Sequence, residues 1–455
     1  MNINVTDFGA KPDLTKVQTK AFQKAIDYCY KTGGGEVFVP SGTYIIGDIR
    51  LRSNITLHLL ENAVIKGSSN INDYTNIYDD NIEPLPSEQA TKAKWVTANQ
   101  HFSNGGGLKK HLYTAGSYWN YGIIRAVYAE NVSIIGERGS VIDGENLYDP
   151  NGEENYRGPH GINMHFCKNI RFAGYTIKNT GNWAHAIFQS QDIIFNNLTV
   201  LGGHDALHTR SCKNITMSDC KLITGDDCIA GFDCVNVKIS KCEISSACSA
   251  FRFGGHNVLI EKCNVYGPCK YQFRGSFSLE EKQNSAQISS VGRNNTLCFF
   301  TYFVTDDLPQ QKAPGNIVIR NCKVNNVDKM LHINLSGNET WQRGNPPSDI
   351  TFKNIIANDI KTGFYGYGDG IVKYRLNLNN VIYKVAEGFE TEPLMKVAHF
   401  GSINIKNTKI FNYKGNSFIK TWSDNGTVNT ENLTCDIKAN ELLIRATDKF
   451  TCKPI

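Results

Sequence analysis

Apolar and polar residues alternate along short segments of this chain, and the segments return at a nearly constant interval. Five of them read NIRFAGYTI, DIIFNNLTV, NITMSDCKL, NVKISKCEI and NVLIEKCNV, and they begin at Asn169, Asp192, Asn214, Asn236 and Asn257. The interval is 21 to 23 residues. Alternation with a period of two predicts β-strands. A repeat this short predicts a solenoid, in which each coil is covered by its neighbours.

The first residues of the chain predict a cap for this solenoid. Phe22, Ile26 and Cys29 are spaced as on one face of a helix, which predicts an amphipathic helix over Val17–Lys31. Thr15 followed by Gln18 resembles a capping box at the start of this helix. The first coil of a solenoid exposes an apolar end that must be covered. We therefore expect residues 1–35 to form an N-terminal cap.

The repeat is interrupted twice. Residues 67–125 and 276–315 lack the period, and we expect both segments to leave the coils as excursions, the first of them bordering a cleft. Further copies of the repeat begin at Asn316, Asp349 and Ser402. Neither a linker nor a change in composition marks a second domain. The prediction is therefore one all-β solenoid domain over residues 1–455.

Composition limits the possible partners. The formal net charge of +5 over 455 residues is mild. It permits an acidic polymer as partner, but it does not argue for nucleic acid. The sequence has no run of eighteen apolar residues, so we predict no membrane span. The chain opens MNINVTDFGA, without the features of a signal peptide. We expect a cytoplasmic protein if Met1 is the native start, and a secreted or periplasmic one if a signal peptide was removed.

Four of the 14 cysteines occupy one position of the repeat, six residues after the strand asparagine: Cys220, Cys242, Cys263 and Cys322. This spacing predicts a ladder of buried free thiols in the core. We do not expect a disulfide framework in so large a core. A cysteine metal site is not expected either, because the sequence contains no CxxC pair.

Three aspartates hold matching places in the repeat. Asp226 and Asp227 follow Asp205 by one coil, so we expect the carboxylates to stack on one outer face. Carboxylates on coils about 4.8 Å apart can hold a water molecule between them. Clustered carboxylates also raise one pKa, which keeps an acid protonated near neutral pH.

The order of motifs along the chain resembles a known family. VTDFGAKPD, AFQKAIDYC and GGGEVFVPSGTY resemble the start of pectate-lyase-like right-handed β-helices. IRLRSNITLHLLENAVIKGS and NVSIIGERGSVIDG resemble glycoside hydrolase family 28, the polygalacturonases. The resemblance implies a single-stranded right-handed parallel β-helix with an N-terminal capping helix. It also implies inverting hydrolysis of α-linked uronic-acid polymers by three aspartates, without a metal or another cofactor.

The active-site motifs of that family are partly kept. GGHDAL keeps the aspartate of Asn-Thr-Asp as Asp205, and TGDDCIA keeps the Asp-Asp pair. The histidine of Gly-His-Gly is absent from the matching place near Cys248, and Arg-Ile-Lys corresponds to residues 272–274. The resemblance implies that Asp226 is the general acid. Asp205 and Asp227 would then position and deprotonate the water.

Polar side chains are predicted to contact the substrate around these aspartates. Strand alternation would turn His208 and Arg210 outward, and Arg252 as well if Phe251 and Phe253 face the core. An arginine can bind a carboxylate through two hydrogen bonds, and a histidine could replace the missing one. The candidate substrate-binding residues are His204, His208, Arg252, Gln272 and Arg274.

We therefore predict a glycoside hydrolase acting on α-linked, pectic or uronate-containing oligosaccharides or polysaccharides. Two alternatives stay open. A metal-dependent polysaccharide lyase could bind calcium through the three aspartates. A non-catalytic carbohydrate-binding β-helix would bind glycan without releasing a product. The fold cannot separate these functions, because function depends on the site.

Overall fold

The computed structural model of the chain describes residues 1–75, 121–153, 156–273, 293–305, 310–337, 339, 341–423, 426–436 and 441–446. These residues form 34 β-strands, one α-helix and two short 3₁₀ helices. They divide into two compact units. Unit 1 comprises Met1–Leu222 and Phe273–Gly292, and unit 2 comprises Ile223–Gln272 and Arg293–Ile455.

The elements from the N-terminus to the end of the first run of strands are β1 (Asn2–Asn4), β2 (Asp13–Val17), α1 (Thr19–Lys31), β3 (Gly35–Val39), β4 (Gly42–Ile46), β5 (Ile49–Arg50), β6 (Ile55–Leu59), β7 (Ala63–Gly67), β8 (Gly122–Val127), β9 (Glu130–Gly136), β10 (Val141–Asp143), β11 (Tyr148–Glu153), β12 (His160–His165), β13 (Lys168–Ala173), β14 (Thr176–Lys178), β15 (His185–Phe188), β16 (Gln191–Asn196), β17 (Thr199–Gly202), β18 (Leu207–Arg210), β19 (Lys213–Ser218) and β20 (Lys221–Thr224). The elements that follow are β21 (Ile229–Ser240), β22 (Glu243–Ser246), β23 (Ser249–Glu261), β24 (Asn264–Tyr266), β25 (Cys298–Tyr302), β26 (Gly315–Arg320), β27 (Lys323–Asn334), β28 (Asp349–Tyr367), β29 (Tyr374–Val385), β30 (Met395–Ala398), β31 (Phe400–Phe411), β32 (Ser417–Thr421), β33 (Thr427–Cys435) and β34 (Glu441–Arg445).

Each unit is built from coils of parallel strands. In unit 1, β12, β13 and β14 form one coil, and they pair in parallel with β15, β16 and β17 of the next. Equivalent apolar residues come into line, as Ile170, Ile193 and Ile215 do. In unit 2 some strands turn corners of the coil, and β28 pairs in parallel with β26, β27, β29 and β30. This is the predicted parallel β-helix. The extent of a single domain over residues 1–455 stays a prediction.

The recurring asparagines have a structural reason that the repeat alone did not reveal. Asn236, Asn257 and Asn316 have positive φ angles of 60°, 58° and 51°, a conformation that asparagine tolerates better than most residues. Their side-chain amides bond from coil to coil. Asn257 Nδ2 donates to Asn236 Oδ1 at 2.9 Å, and Asn316 Nδ2 donates to Asn257 Oδ1 at 3.1 Å. A similar bond joins Asn131 to Asn54 in unit 1.

The predicted cysteine ladder is confirmed. Its four members are at most 2% exposed, and the cysteines among the described residues are all free thiols. In unit 2 each ladder thiol donates to the carbonyl oxygen two residues before it, as Cys242 does to Ser240 at 3.3 Å. These residues therefore fill the coil interior with small apolar side chains.

Helix α1 covers the first coils, as predicted. Its buried residues Phe22, Ala25, Ile26 and Cys29 form one face, which packs against β1, β3 and β5. The helix begins at Thr19 because Val17 still belongs to strand β2. The described residues include no helix with the length and apolar character needed to cross a bilayer.

The predicted capping box is wrong. The residue that precedes the helix is Gln18, and its side chain makes no capping hydrogen bond. The Thr15 hydroxyl instead donates to Asp13 Oδ1 at 2.6 Å, within strand β2. A local side-chain bond thus competes with the cap that the sequence suggested.

Part of each range predicted as an excursion belongs to the coils. Strand β8 begins at Gly122, before the end of the predicted range 67–125, and pairs with β5 and β12, while residues 76–120 lie outside the described residues. Strand β25 lies inside residues 276–315 and pairs with β23 and β27. Every residue of β8 and β25 is buried. A strand buried on both faces loses the polar–apolar alternation by which the repeat was recognised.

The asparagine ladder makes a testable contribution to stability. Asn257→Ala should lower the free energy of unfolding by about 1–3 kcal/mol, because alanine is strained in the left-handed conformation and two amide bonds are lost. Asn257→Gly keeps that conformation accessible and should lose less. Urea unfolding measures both variants, and equal losses would contradict the role given to the backbone conformation.

Candidate active site

In unit 1, the Asp205 carboxylate is held by a chain of side chains. Asp205 is buried in the turn between β17 and β18, and its Oδ2 accepts a hydrogen bond from His208 Nδ1 at 2.8 Å. Arg210 Nε donates to His208 Nε2 at 3.1 Å, so the imidazole carries its proton on Nδ1. The ring stacks on Trp183, with centroids 3.7 Å apart and planes 11° apart. These contacts fix the direction of the carboxylate.

His208 therefore plays a different part from the one predicted. His208 and Arg210 do not face outward into an open groove, because both are buried. Strand alternation gave their direction but could not show that Trp183 covers them. Both nitrogens of the His208 ring are engaged, so His208 orients Asp205 and offers no ring nitrogen to a substrate.

In unit 2, Asp226 and Asp227 occupy the turn between β20 and β21. The hydroxyl groups of Thr224 and Ser246 both donate to the backbone carbonyl of Asp226, at 2.9 Å and 2.7 Å. The backbone N–H of Ser249 donates to Asp227 Oδ1 at 3.0 Å. The turn is therefore fixed by its own strand and by the next coil, and both carboxyl groups are buried.

The surroundings of Asp227 pull its pKa in opposite directions. Burial is the largest effect and raises the pKa, and the charge of Asp226 raises it further. Arg252 opposes this, as do hydrogen bonds from the Cys248 thiol and the Ser249 N–H. The net pKa of Asp227 lies above its ordinary value. Asp227 therefore holds its proton to a higher pH than an isolated aspartate would.

Arg252 lies against this pair as the strand alternation predicted, with Phe251 and Phe253 in the core. Its Nη1 is 3.4 Å from Asp227 Oδ2, and its side chain is 16% exposed. The guanidinium carbon lies 4.3 Å from the ring centroid of Phe303 and 5.1 Å from that of Trp341. Cation–π contacts of this kind hold the planar group in place. Its remaining N–H groups suit a carboxylate ligand.

Cys248 lies where the family's histidine was expected. Its sulfur, one carboxylate oxygen of Asp226 and one of Asp227 all lie within 4.8 Å of one another. Burial, together with the two carboxylates, raises the pKa of this thiol well above its ordinary value, so it remains a hydrogen-bond donor to Asp227. Sulfur is a soft ligand and calcium prefers oxygen, so this set of three donors does not fit a calcium ion.

The structure gives the positions of two of the three remaining candidate substrate-binding residues. His204 is buried, 6.2 Å from the ring centroid of Tyr156. Gln272 does not lie on a strand as expected, because β24 ends at Tyr266 and Pro268 cannot donate to a strand ladder. Its Oε1 is buried without a hydrogen-bond partner among the described residues. Arg274 lies outside the described residues.

Phe303 and Trp341 are the site residues that sequence reasoning missed. Phe303 follows β25 within the predicted excursion, and Trp341 lies in the connection between β27 and β28. Neither residue belongs to a copy of the repeat, so periodicity gave no reason to place them beside Arg252. The expectation that Asp205 stands beside Asp226 and Asp227 stays a prediction.

The fold and the site define a β-helix of the pectate-lyase-like class. A family model described as Rhamnogalacturonase A/epimerase, pectate lyase-like matches residues 2–233. The chain belongs to this family. The crystal structure of a hyperthermoactive exopolygalacturonase from Thermotoga maritima has a TM-score of 0.53 and 18% identity, and covers 94% of this chain and 92% of that one. The likeness shows the fold, a right-handed parallel β-helix.

Two relatives of this chain are named as enzymes that act on polygalacturonate or its galacturonoside linkages. A probable polygalacturonase from Vitis vinifera is 27% identical over 247 residues, which are 52% of this chain and 44% of that protein. An exo-poly-alpha-D-galacturonosidase from Dickeya chrysanthemi is 45% identical over 76 residues, which are 17% of this chain and 12% of that protein. The matches therefore span less than half the length of either relative. The resemblance stated from the motifs is confirmed.

The perturbed carboxyl group predicts a pH-dependent cost to stability. An aspartate whose pKa is raised in the folded state contributes fully to stability below its unfolded-state pKa of about 3.9. That contribution is lost as the pH rises through the folded-state pKa. Asp227→Asn removes the titration. Its melting temperature should therefore rise relative to wild type as the pH increases from 4 to 7. A difference that stays constant over this range would contradict the raised pKa of Asp227.

Proposed function

We propose that this protein is a polygalacturonase-like glycoside hydrolase that cleaves α-linked pectic or other uronate-containing oligosaccharides with inversion. The observation that carries the proposal is the buried Asp226–Asp227 pair with Arg252 against it. Membership of the family and the names of the two relatives support the reaction class. In this proposal the hydrolysis needs no cofactor.

The proposed roles combine the family resemblance with the surroundings of Asp227. Three donors engage Asp227, namely the Ser249 N–H, the Cys248 thiol and Arg252, and such donors stabilise a carboxylate. As the family resemblance implies, Asp226 protonates the leaving oxygen as general acid. Asp227 accepts the proton of the attacking water. Asp205 shares the positioning of this water, as the family resemblance implies.

Arg252 supplies the proposed preference for an acidic sugar. Its guanidinium is held between Phe303 and Trp341, so little side-chain freedom is lost when a ligand binds. A carboxylate can accept two parallel hydrogen bonds from such a group. Arg252 also limits the pKa of Asp227. Arg252 therefore affects both the binding of the uronate and the pKa of the proposed base.

The reaction class can be tested directly. Purified protein is incubated with a panel of pectic oligosaccharides, and reducing ends, anomeric configuration and ultraviolet absorbance are followed together. Inverting hydrolysis releases reducing sugar of the opposite configuration without an absorbing product. An unsaturated, ultraviolet-absorbing product would show a lyase instead. Binding without any product would show a carbohydrate-binding protein.

Asp226→Asn should lower the rate of hydrolysis by about 10²–10⁴-fold or more, because an amide cannot donate the proton that general acid catalysis requires. Asp359→Asn is a matched control, since Asp359 is an exposed aspartate with a φ of 56° that asparagine also tolerates. It should retain wild-type turnover. Near wild-type activity of a folded Asp226→Asn variant would show that the acid is assigned wrongly.

Plain polygalacturonate should be a poor substrate compared with another α-linked pectic oligosaccharide. Cys248 replaces the family's histidine, and Gln272 stands where its motif has arginine. Loss of one hydrogen bond to a charged sugar group costs about 1.5–3 kcal/mol, or about ten- to a hundredfold in rate. Initial rates on matched concentrations of the two substrates test this expectation. Rapid internal cleavage of long polygalacturonate would overturn it.

A further inference from the structure

Strand β23 engages both carboxylate oxygens of Asp227. The Ser249 N–H donates to Oδ1 at 3.0 Å, and Arg252 Nη1 lies 3.4 Å from Oδ2. Ser249 and Arg252 belong to the same strand, three residues apart. The place of β23 beside the turn therefore determines how the carboxyl group of Asp227 is held.

The next coil holds Ser249 through a side chain. Strand β25 pairs in parallel with β23, which brings Cys298 beside Ser249 and Thr301 beside Arg252. The hydroxyl groups of Ser249 and Thr301 share a hydrogen bond of 2.9 Å. Ser249 is 0% exposed and Thr301 is 3% exposed. A hydrogen bond in the protein interior is electrostatically stronger than one in water, so this bond can fix Ser249.

We propose that Thr301 is a positioning residue for the proposed hydrolysis. Its hydroxyl holds Ser249, and the Ser249 N–H in turn aims the Asp227 carboxylate at the attacking water. A general base must lie within hydrogen-bond reach of the proton that it accepts, so a small displacement of the carboxylate costs rate. This inference rests on the proposed function and adds to it a residue from the second coil beyond the Asp226–Asp227 turn.

The contact from Ser249 should also affect the pKa of Asp227, because a hydrogen bond to a carboxylate favours its charged form. A variant at Thr301 leaves the other titratable groups that face Asp227 unchanged in sequence. These are Asp226 and Cys228 on its own turn, Arg252 and Cys248 on the next coil, and Cys298 on the coil after that. A further rise in the pKa of Asp227 therefore reports a weaker contact from Ser249.

The test compares two variants of Thr301 with a matched control. Thr301→Val removes the hydroxyl and leaves the buried Ser249 hydroxyl without this partner, whereas Thr301→Ser keeps a hydroxyl group in place. Thr421→Val is the control, because Thr421 is also buried, at 2% exposed, and its hydroxyl also pairs with a serine hydroxyl, that of Ser423, at 3.3 Å. The values of kcat, KM and the pH dependence of kcat/KM are measured on a hydrolysed oligosaccharide. Melting temperatures verify that each variant is folded.

Thr301→Val should lower kcat by about three- to tenfold and change KM by less than about twofold, because a misplaced base loses rate without losing substrate binding. The acid limb of its kcat/KM profile should move to higher pH by about half a unit. Thr301→Ser should restore both, and Thr421→Val should change neither. Wild-type kcat and acid limb in a folded Thr301→Val variant would overturn the inference, as would equal kinetic losses in Thr421→Val.

Melting temperatures from about pH 4 to 7 give a readout that does not depend on hydrolysis. The melting temperature of Thr301→Val should fall further below that of wild type as the pH rises, because a higher folded-state pKa of Asp227 loses more stability over this range. This pH dependence should be absent when both proteins also carry Asp227→Asn. A difference that stays constant with pH would contradict an action of Thr301 on Asp227. Absence of hydrolysis by wild type would overturn the proposed function and the catalytic part of this inference, while the melting data would still decide the contact.

Discussion

The register of backbone hydrogen bonds from one coil to the next is the constraint on which each unit depends. Paired residues stand about 4.8 Å apart, so a side chain placed on one coil determines what can stand beside it on the next. The asparagine bonds maintain this register at the turns, where Asn257 is joined to Asn236 and to Asn316. The same register places Arg252 beside Thr301 of the next coil.

A rigid turn is also what allows two carboxyl groups to remain buried together. Thr224 and Ser246 fix the backbone of Asp226 by donating to one carbonyl oxygen, and Ser249 donates to Asp227 from the next coil. Burying a charge is costly unless it is paired and hydrogen-bonded. The pKa of Asp227 is raised because its hydrogen-bond donors and Arg252 offset only part of that cost. Sites that perform acid–base chemistry often keep such a group at the expense of stability.

The sequence predicted those features that recur in every coil. The strand class, the buried cysteines and the direction of Arg252 followed from periodicity and alternation, because each depends on which side of a strand a residue faces. Alternation gave the outward direction of His208 but not its burial, because Trp183 covers the ring. It failed at Gln272, where Pro268 follows the end of β24 and no strand exists to alternate.

The remaining features could not be predicted because they arise where the chain departs from its repeat. Phe303 and Trp341 reach Arg252 from segments that no other coil duplicates. Periodicity therefore describes the scaffold, whereas the irregular segments supply the contacts that distinguish one position on the face from another. Arg252 shows both contributions in one residue. Its place follows from the strand, and the orientation of its guanidinium follows from two rings whose positions only the folded chain determines.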